Sequence, residues 1–213
     1  MAGRSLFGVS SRIEQPTYEV VDTLDDATEV RRYAPRLAAE ARLPGGDGTM
    51  ARGRAFRILF DYIAGANTGG RKIAMTTPVE SGRRSGQRIA MTTPVETAAG
   101  PGRGGGGYAM RFFLPASFTL ETAPAPTDDR VALVEIPAAT VAVRRFTGLR
   151  GTPMVDRQKA KLRQTLARAA DRWQAQGTPV AWFYDPPMTL PFLRRNEVAV
   201  TVAPTPRTTP DAA

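Results

Sequence analysis

The chain has 213 residues, 42% of them hydrophobic and 23% charged, which fits one soluble domain large enough to bury a sizeable core. It has no cysteine and no histidine, so disulfides, thiolate and imidazole metal sites, cysteine nucleophiles and Ser-His-Asp triads are excluded. Its 29 basic residues, most of them arginine, outnumber 20 acidic ones for a net charge of +9, a surface that favours anionic partners.

In chain order, residues 1–13 read as a loose leader. Leu6-Phe7-Gly8-Val9 after Arg4 is too short for a secretory segment, and Ala2 removes the myristoylation pattern. No apolar run reaches the ~18–20 residues that span a bilayer; the expectation is a cytoplasmic protein. Tyr18–Val21 and Thr28–Leu43 read as strands, the second bent at Arg31-Arg32-Tyr33-Ala34-Pro35. Pro44-Gly45-Gly46-Asp47-Gly48 is a turn cluster. Thr49 then caps a helix to about Ala64, stopped by Gly65, with Phe56, Leu59, Phe60 and Ile63 facing the core.

The next segment is an octapeptide written twice. Ile73-Ala74-Met75-Thr76-Thr77-Pro78-Val79-Glu80 recurs as Ile89-Ala90-Met91-Thr92-Thr93-Pro94-Val95-Glu96, with Ser81–Gln87 between them as a polar loop. The composition predicts a hairpin of the two copies, with each proline at an edge or bulge because it cannot donate to a ladder. Ala98–Gly107 is glycine-rich without the Gly-Lys-Ser/Thr ending of a phosphate loop, and reads as a linker.

Strands follow at Tyr108–Leu114, Val131–Ile136 and Thr140–Phe146. Thr152-Pro153 opens a second helix, predicted to run to about Gln176 and stop at Gly177, with Val155, Leu162, Leu166, Ala169 and Trp173 as its apolar stripe. Val180–Tyr184 and Glu197–Val202 are the last strands, and residues 204–213 read as a disordered tail. The order predicts a single α+β domain over 14–203, an antiparallel sheet with two helices packed on it.

Four segments carry a resemblance. Ala74-Met75-Thr76-Thr77-Pro78-Val79, after a helix ending Tyr62-Ile63-Ala64-Gly65-Ala66-Asn67, resembles the SOUL haem-binding family. Met110-Arg111-Phe112-Phe113-Leu114-Pro115 agrees, as do Leu120-Glu121-Thr122 with Pro124 and Pro126, and Tyr184-Asp185-Pro186-Pro187-Met188 with Arg194-Arg195-Asn196-Glu197. The resemblance implies two pseudo-symmetric βαββ halves forming a distorted antiparallel β-barrel. It also implies non-covalent, non-catalytic binding of haem b or another anionic tetrapyrrole, for buffering, transport or sensing. The implied site is a shallow cleft between the first helix and the loop joining the last two strands.

A tetrapyrrole needs an apolar surface for its ring, cations for its propionates and optionally an iron ligand. Arg52, Arg54 and Arg57 are the propionate candidates, since arginine grips a carboxylate with two parallel hydrogen bonds. Ile58 is expected as an exposed apolar position among them. Met188, Leu190, Phe192 and Leu193 form the second wall, with Arg194 or Arg195 for another propionate. Without histidine, the axial candidates are tyrosine, Tyr184 first and Tyr62 second, or a methionine, which more often serves as core filler, or no protein ligand at all. Asp61 stands where a basic residue is expected. Glu80 and Glu96 read as charged strand ends rather than an acid–base pair.

The competing reading is a regulator that binds another small molecule or a protein partner, of the DNA gyrase inhibitor-like effector-domain type. Such domains often take cationic ligands on a buried glutamate, which a +9 chain disfavours. Nucleic-acid binding is not expected, because the basic residues are dispersed and no aromatic platform interleaves them.

Overall fold

Pro35 divides what reads in the sequence as one bent strand. Its ring lacks the N–H that a ladder needs; Thr28–Tyr33 (β2) ends before it, and Arg36–Leu43 (β3) leaves for another part of the sheet. The computed structural model describes residues 13–44, 49–83, 108–186 and 188–206. Its other elements are β1 (Tyr18–Asp25), α1 (Thr49–Ala64), β4 (Val79–Arg83), β5 (Tyr108–Phe113), β6 (Val131–Ile136), β7 (Ala139–Phe146), α2 (Thr152–Arg168), β8 (Trp173–Phe183) and β9 (Asn196–Pro204).

Among the described residues, nine strands form one antiparallel sheet in the order β1-β2-β7-β9-β8-β4-β5-β3-β6. The sheet is open, and the expected barrel does not close: β1 and β6 are its two edges and do not pair with each other. Register shifts in β1 at Val20/Asp22 and Thr23/Asp25 bend that edge and add twist, the usual protection of an exposed edge strand.

Val79 pairs with Phe183 and Glu80 with Trp182. Cross-strand partners share a face, so these two pairs mark the two sides of the sheet. Both helices lie on the Val79/Phe183 side. There α1 packs on β3 and β5 through Ala55, Leu59 and Ile63, and α2 on β7, β8 and β9 through Val155, Leu162 and Leu166. The other side carries a smaller apolar cluster of Tyr33, Val141, Val143, Trp182, Tyr184 and Ala199.

Helix α1 ends where the sequence predicts. Gly65 has φ +127°, and a Cβ there would stand 3.3 Å from the Gly70 carbonyl oxygen, so the stop requires glycine. The buried face differs from the expected one. Ala55, Ile58, Leu59, Tyr62 and Ile63 are buried, while Phe60 is 47% exposed and stacks on Phe56. Two apolar stripes overlap on this helix, sharing Leu59 and Ile63. Tyr62 decides between them by sending its hydroxyl inward to the Pro124 carbonyl at 2.9 Å.

Helix α2 is shorter than its stripe suggests. It stops at Arg168, and Trp173, expected on the helix, begins β8. Trp173 pairs with Pro204, and its indole N–H donates to Asp22 at 2.7 Å. Gly177 is no helix stop. With φ +88° it sits in the register shift between Gln176 and Val180, a bulge position that suits glycine.

The repeat also behaves differently. Its first copy reaches β4 only at Val79, after a cis Thr77–Pro78 bond. β4 is central rather than an edge, flanked by β5 on one side and β8 on the other. Over Val79–Ser81 both ladder edges are therefore taken, which leaves no place for the expected hairpin with the second copy. That copy, Ile89–Glu96, lies outside the described residues, as do residues 1–12, the turn residues 45–48, the glycine-rich linker, Pro187 and residues 207–213. Thr205, just past β9, still donates to the Arg172 and Ala170 carbonyls. Among the described residues no helix is long and apolar enough to cross a membrane.

Candidate functional site

Gly148 starts the site. Its φ of +108° turns the chain after β7 towards the loop between β8 and β9, where its N–H donates to the Pro191 carbonyl at 2.9 Å. Asn196, fully buried at the start of β9, ties the two loops together. Its amide donates to the Gly148 carbonyl at 3.2 Å, and its oxygen accepts from Arg150 Nε at 3.2 Å. The second loop is closed at its base by Asp185, whose carboxylate accepts from the Arg195 N–H at 2.6 Å.

Held this way, the two loops and the start of α1 gather arginines. Arg52 Nη1 donates to the Arg150 carbonyl at 3.1 Å, and Arg150 Nη2 donates to the Asp185 carbonyl at 2.5 Å. Both guanidiniums lie over the Phe183 ring, at 5.7 and 5.2 Å. Arg194 Nε donates to the Thr189 carbonyl at 2.7 Å. Burial, then the neighbouring Arg194 and Arg52 charges, push the Arg150 guanidinium below its ordinary basicity, against the pull of Asp185. The Arg52 Nε is buried without a hydrogen-bond partner.

Beside this charge the loop presents apolar side chains to solvent. Met188 is 94% exposed, and Leu190, Phe192, Leu193 and Leu149 are all more than half exposed. A 3-10 turn, Pro191–Leu193, carries Phe192 and Leu193, and Leu149 belongs to the loop after β7. Contiguous exposed apolar side chains next to cations suit an amphiphilic anion.

The structure thus brings together Arg52, Met188, Leu190, Phe192 and Arg194 of the expected site. Arg54 and Arg57 lie on the exposed side of α1, away from Arg52. Ile58, expected to be exposed, is buried. Together with Tyr62 and Asp61 it lines a different, open pocket of about 490 Å³, whose other wall is Thr127, Asp128, Asp129 and Arg130. That pocket starts two turns further along α1, roughly 10 Å from Arg52 by helix rise, and its three carboxylates repel an anion. Arg130 donates to Asp128 there and holds its carboxyl at about 2.

Neither tyrosine is poised to ligate a metal. Burial pushes Tyr62 up to about 12, and its hydroxyl is spent on Pro124. Tyr184 is buried on the sheet side away from the helices; burial and then Glu197 hold its phenol well above the ordinary range. Sequence reasoning missed Arg150 and Asn196. An arginine in the turn Gly148-Leu149-Arg150-Gly151, just before the Thr152-Pro153 helix start, was the available signal for the first. Asn196 has only long-range partners and gave none.

A family model described as SOUL heme-binding protein matches residues 13–201. No curated protein matches the chain. Among solved structures, the EcmrR C-terminal domain is similar at TM-score 0.56 and 10% identity, covering 87% of this chain and 98% of that one. An uncharacterized conserved protein from Listeria innocua is similar at TM-score 0.56, and a hydrolase from the same organism at 0.52. Each is 12% identical, covering 83% of this chain and 92% of its own. At these identities the likeness is one of fold.

Proposed function

The chain belongs to the SOUL haem-binding family, and from that premise we propose that it binds an anionic tetrapyrrole non-covalently where α1 meets the two loops. The observation that carries the reading is the Arg52, Arg150 and Arg194 cluster beside exposed Phe192, Leu193, Leu190 and Leu149. Three guanidiniums held together raise one another's electrostatic cost: Arg150 is pushed down by burial first, and then further by the Arg194 and Arg52 charges. A dicarboxylate relieves that cost and receives paired N–H donors in return. Burying Phe192 and Leu193 under a macrocycle contributes about 1.5–3 kcal/mol each.

The residues fit the group in its carboxylates and its ring face; toward iron the site offers only the weak thioether donor of exposed Met188. The chain has neither histidine nor cysteine, and both tyrosine candidates are engaged elsewhere. The reading is therefore one of binding without a protein axial ligand, in which metal-free porphyrin binds about as well as hemin. The bound group supplies the chemistry of its own iron; the protein holds and shields it, for buffering, delivery or sensing. The strand order supports two halves, β3-α1-β4-β5 and β7-α2-β8-β9, meeting where β4 pairs with β8. The site sits on that line, over Phe183.

An effector-type domain that takes a cation on a buried glutamate is not favoured. Glu197, the glutamate buried at 0% exposure, already accepts from Arg31, Arg195 and Tyr184. Titration with hemin and with metal-free protoporphyrin, read by the Soret band, tests the proposal. Saturation near one equivalent for both is expected. No saturable change up to roughly tens of micromolar, a modest affinity by any measure, would sink it.

A further inference from the structure

On the side of the sheet away from the helices, almost every charge has its partner. Arg31 donates to Glu29 at 2.8 Å and to Glu197 at 3.1 Å. Arg195 donates to Glu197 at 2.8 Å. Arg111 bridges Glu40 and Glu80, each at 2.6 Å, and Trp182 also donates to Glu80 at 2.9 Å. The four glutamates on this side, Glu29, Glu40, Glu80 and Glu197, thus each accept from at least one arginine.

Arg36 is the exception. Residues alternate along β3, so Arg36 shares this side with Glu40, while Leu37 and Ala39 face α1. Its guanidinium is clamped between two rings, 4.3 Å from the Tyr33 centroid and 4.9 Å from that of Phe113. Trp182 meets both rings edge-on, at 5.7 and 6.4 Å. The Arg36 Nε is buried with no hydrogen-bond partner, and no ion pair reaches it among the described residues. Burial pushes its basicity down. Of the Arg36 nitrogens only Nε is buried without a partner, so the terminal pair stays open to solvent and to an acceptor.

We propose that this side of the sheet is a second binding site, for a small carboxylate held by the Arg36 guanidinium fork. Contact with the rings of Tyr33 and Phe113 restricts where the fork can go, and the guanidinium is itself planar, so its two terminal nitrogens form a flat pair of donors. A carboxylate matches that pair with two parallel hydrogen bonds. A cation finds nothing here, since every neighbouring glutamate is already occupied. The site is independent of the tetrapyrrole reading: it lies on the opposite side of the sheet and shares no residue with the Arg52–Arg150–Arg194 cluster.

The test is calorimetric titration of the full chain with sodium benzoate and sodium acetate, against sodium chloride and benzylammonium chloride at equal ionic strength, with Trp182 fluorescence followed in parallel. Saturable binding of a carboxylate is expected, at least about tenfold weaker in Arg36→Gln and in Arg36→Lys, which keeps the charge but loses the fork. Arg36→Gln is expected to change Tm without ligand only slightly, because the half-buried charge it removes has no ion pair but does lie over two rings. Absence of saturation at about 50 mM carboxylate, weaker than any useful site, overturns the proposal. Binding unchanged in both Arg36 variants, or preference for benzylammonium, overturns it as well. Hemin titration of Arg36→Gln is expected to match the parent protein, which keeps a failure here distinct from a failure of the tetrapyrrole site.

Discussion

Tyr184 donates its hydroxyl proton to Glu197 Oε2 across 2.5 Å, and the Arg195 guanidinium covers its ring at 3.9 Å. A tyrosine ligates iron as tyrosinate, and this phenol is held protonated and enclosed. Tyr184→Phe is therefore expected to leave the hemin spectrum unchanged. It is expected to cost about 1–3 kcal/mol of stability, because Glu197 loses a donor in a buried site. Urea unfolding and the Soret position, measured on one preparation, separate the two roles; a displaced Soret band with unaltered stability would reverse this assignment.

Arg150 and Arg54 offer a contrast within the cationic surface. Arg150 sits in the cluster, whereas Arg54 is exposed on the far side of α1. Arg150→Ala is expected to weaken hemin by about tenfold or more, the value of a charge-assisted hydrogen bond. Arg54→Ala is expected to change it by less than about twofold, as for a solvated surface charge. Because Arg150 also braces Asp185 and Asn196, Arg150→Lys and a Tm for each variant accompany the titration. Equal losses from Arg54→Ala and Arg150→Ala would move the site onto the outer face of α1.

Tyr62 gives the protein an alkaline limit. Burial raises its folded-state value to about 12, from an ordinary 10. The folded state therefore keeps a proton that the unfolded chain releases, so this stabilising contribution is complete below pH ~10 and is lost as pH rises towards ~12. A shift of this size corresponds to on the order of 2 kcal/mol. Tyr33, also raised to about 12 by burial first, adds to the same slope. Tyr62→Phe is expected to be less stable at neutral pH, having lost its bond to Pro124, yet to lose less stability between pH 9 and 11. Urea midpoints across that window measure it, and parallel slopes for variant and parent would refute the linkage.

What could be read from the sequence depended on the range of the interaction. The Gly65 stop and the strands β5 to β7 rest on local backbone chemistry, and they stand close to where the pattern puts them; at Pro35 the pattern shows a bend, where the chain in fact breaks into two strands. The end of α2 does not. Ala169–Gln176 looks helical locally, but Trp173 gains an Asp22 carboxylate 151 residues away and a ladder with β9. The misplacement of Ile58 is subtler. Periodicity permits two faces on α1, and the choice is made by Pro124, which the helix meets only in three dimensions. The same holds for the site. Arg52 and Arg194 were legible as cations on named elements, while Arg150 joins them through Asn196, a contact no local pattern encodes.

The central position of β4 bears on how the chain uses its duplicated words. Up to Glu80 and Glu96 the copies are indistinguishable; beyond them Ser81-Gly82 is answered by Thr97-Ala98. A Cβ at Gly82 would stand 3.0 Å from Val180 Cγ1, so a strand drawn from the second copy would drive the Ala98 methyl into its neighbour. Deleting Ser81–Glu96 splices Glu80 to Thr97. That chain is expected to fold with a lowered Tm, and Ala98→Gly in the same background to recover much of the loss; identical Tm values for the two would remove the steric selection. The octapeptide spells the strand in both copies; the bare α-carbon two residues after the first, where the second has a methyl, is the place at which their fit beside Val180 differs.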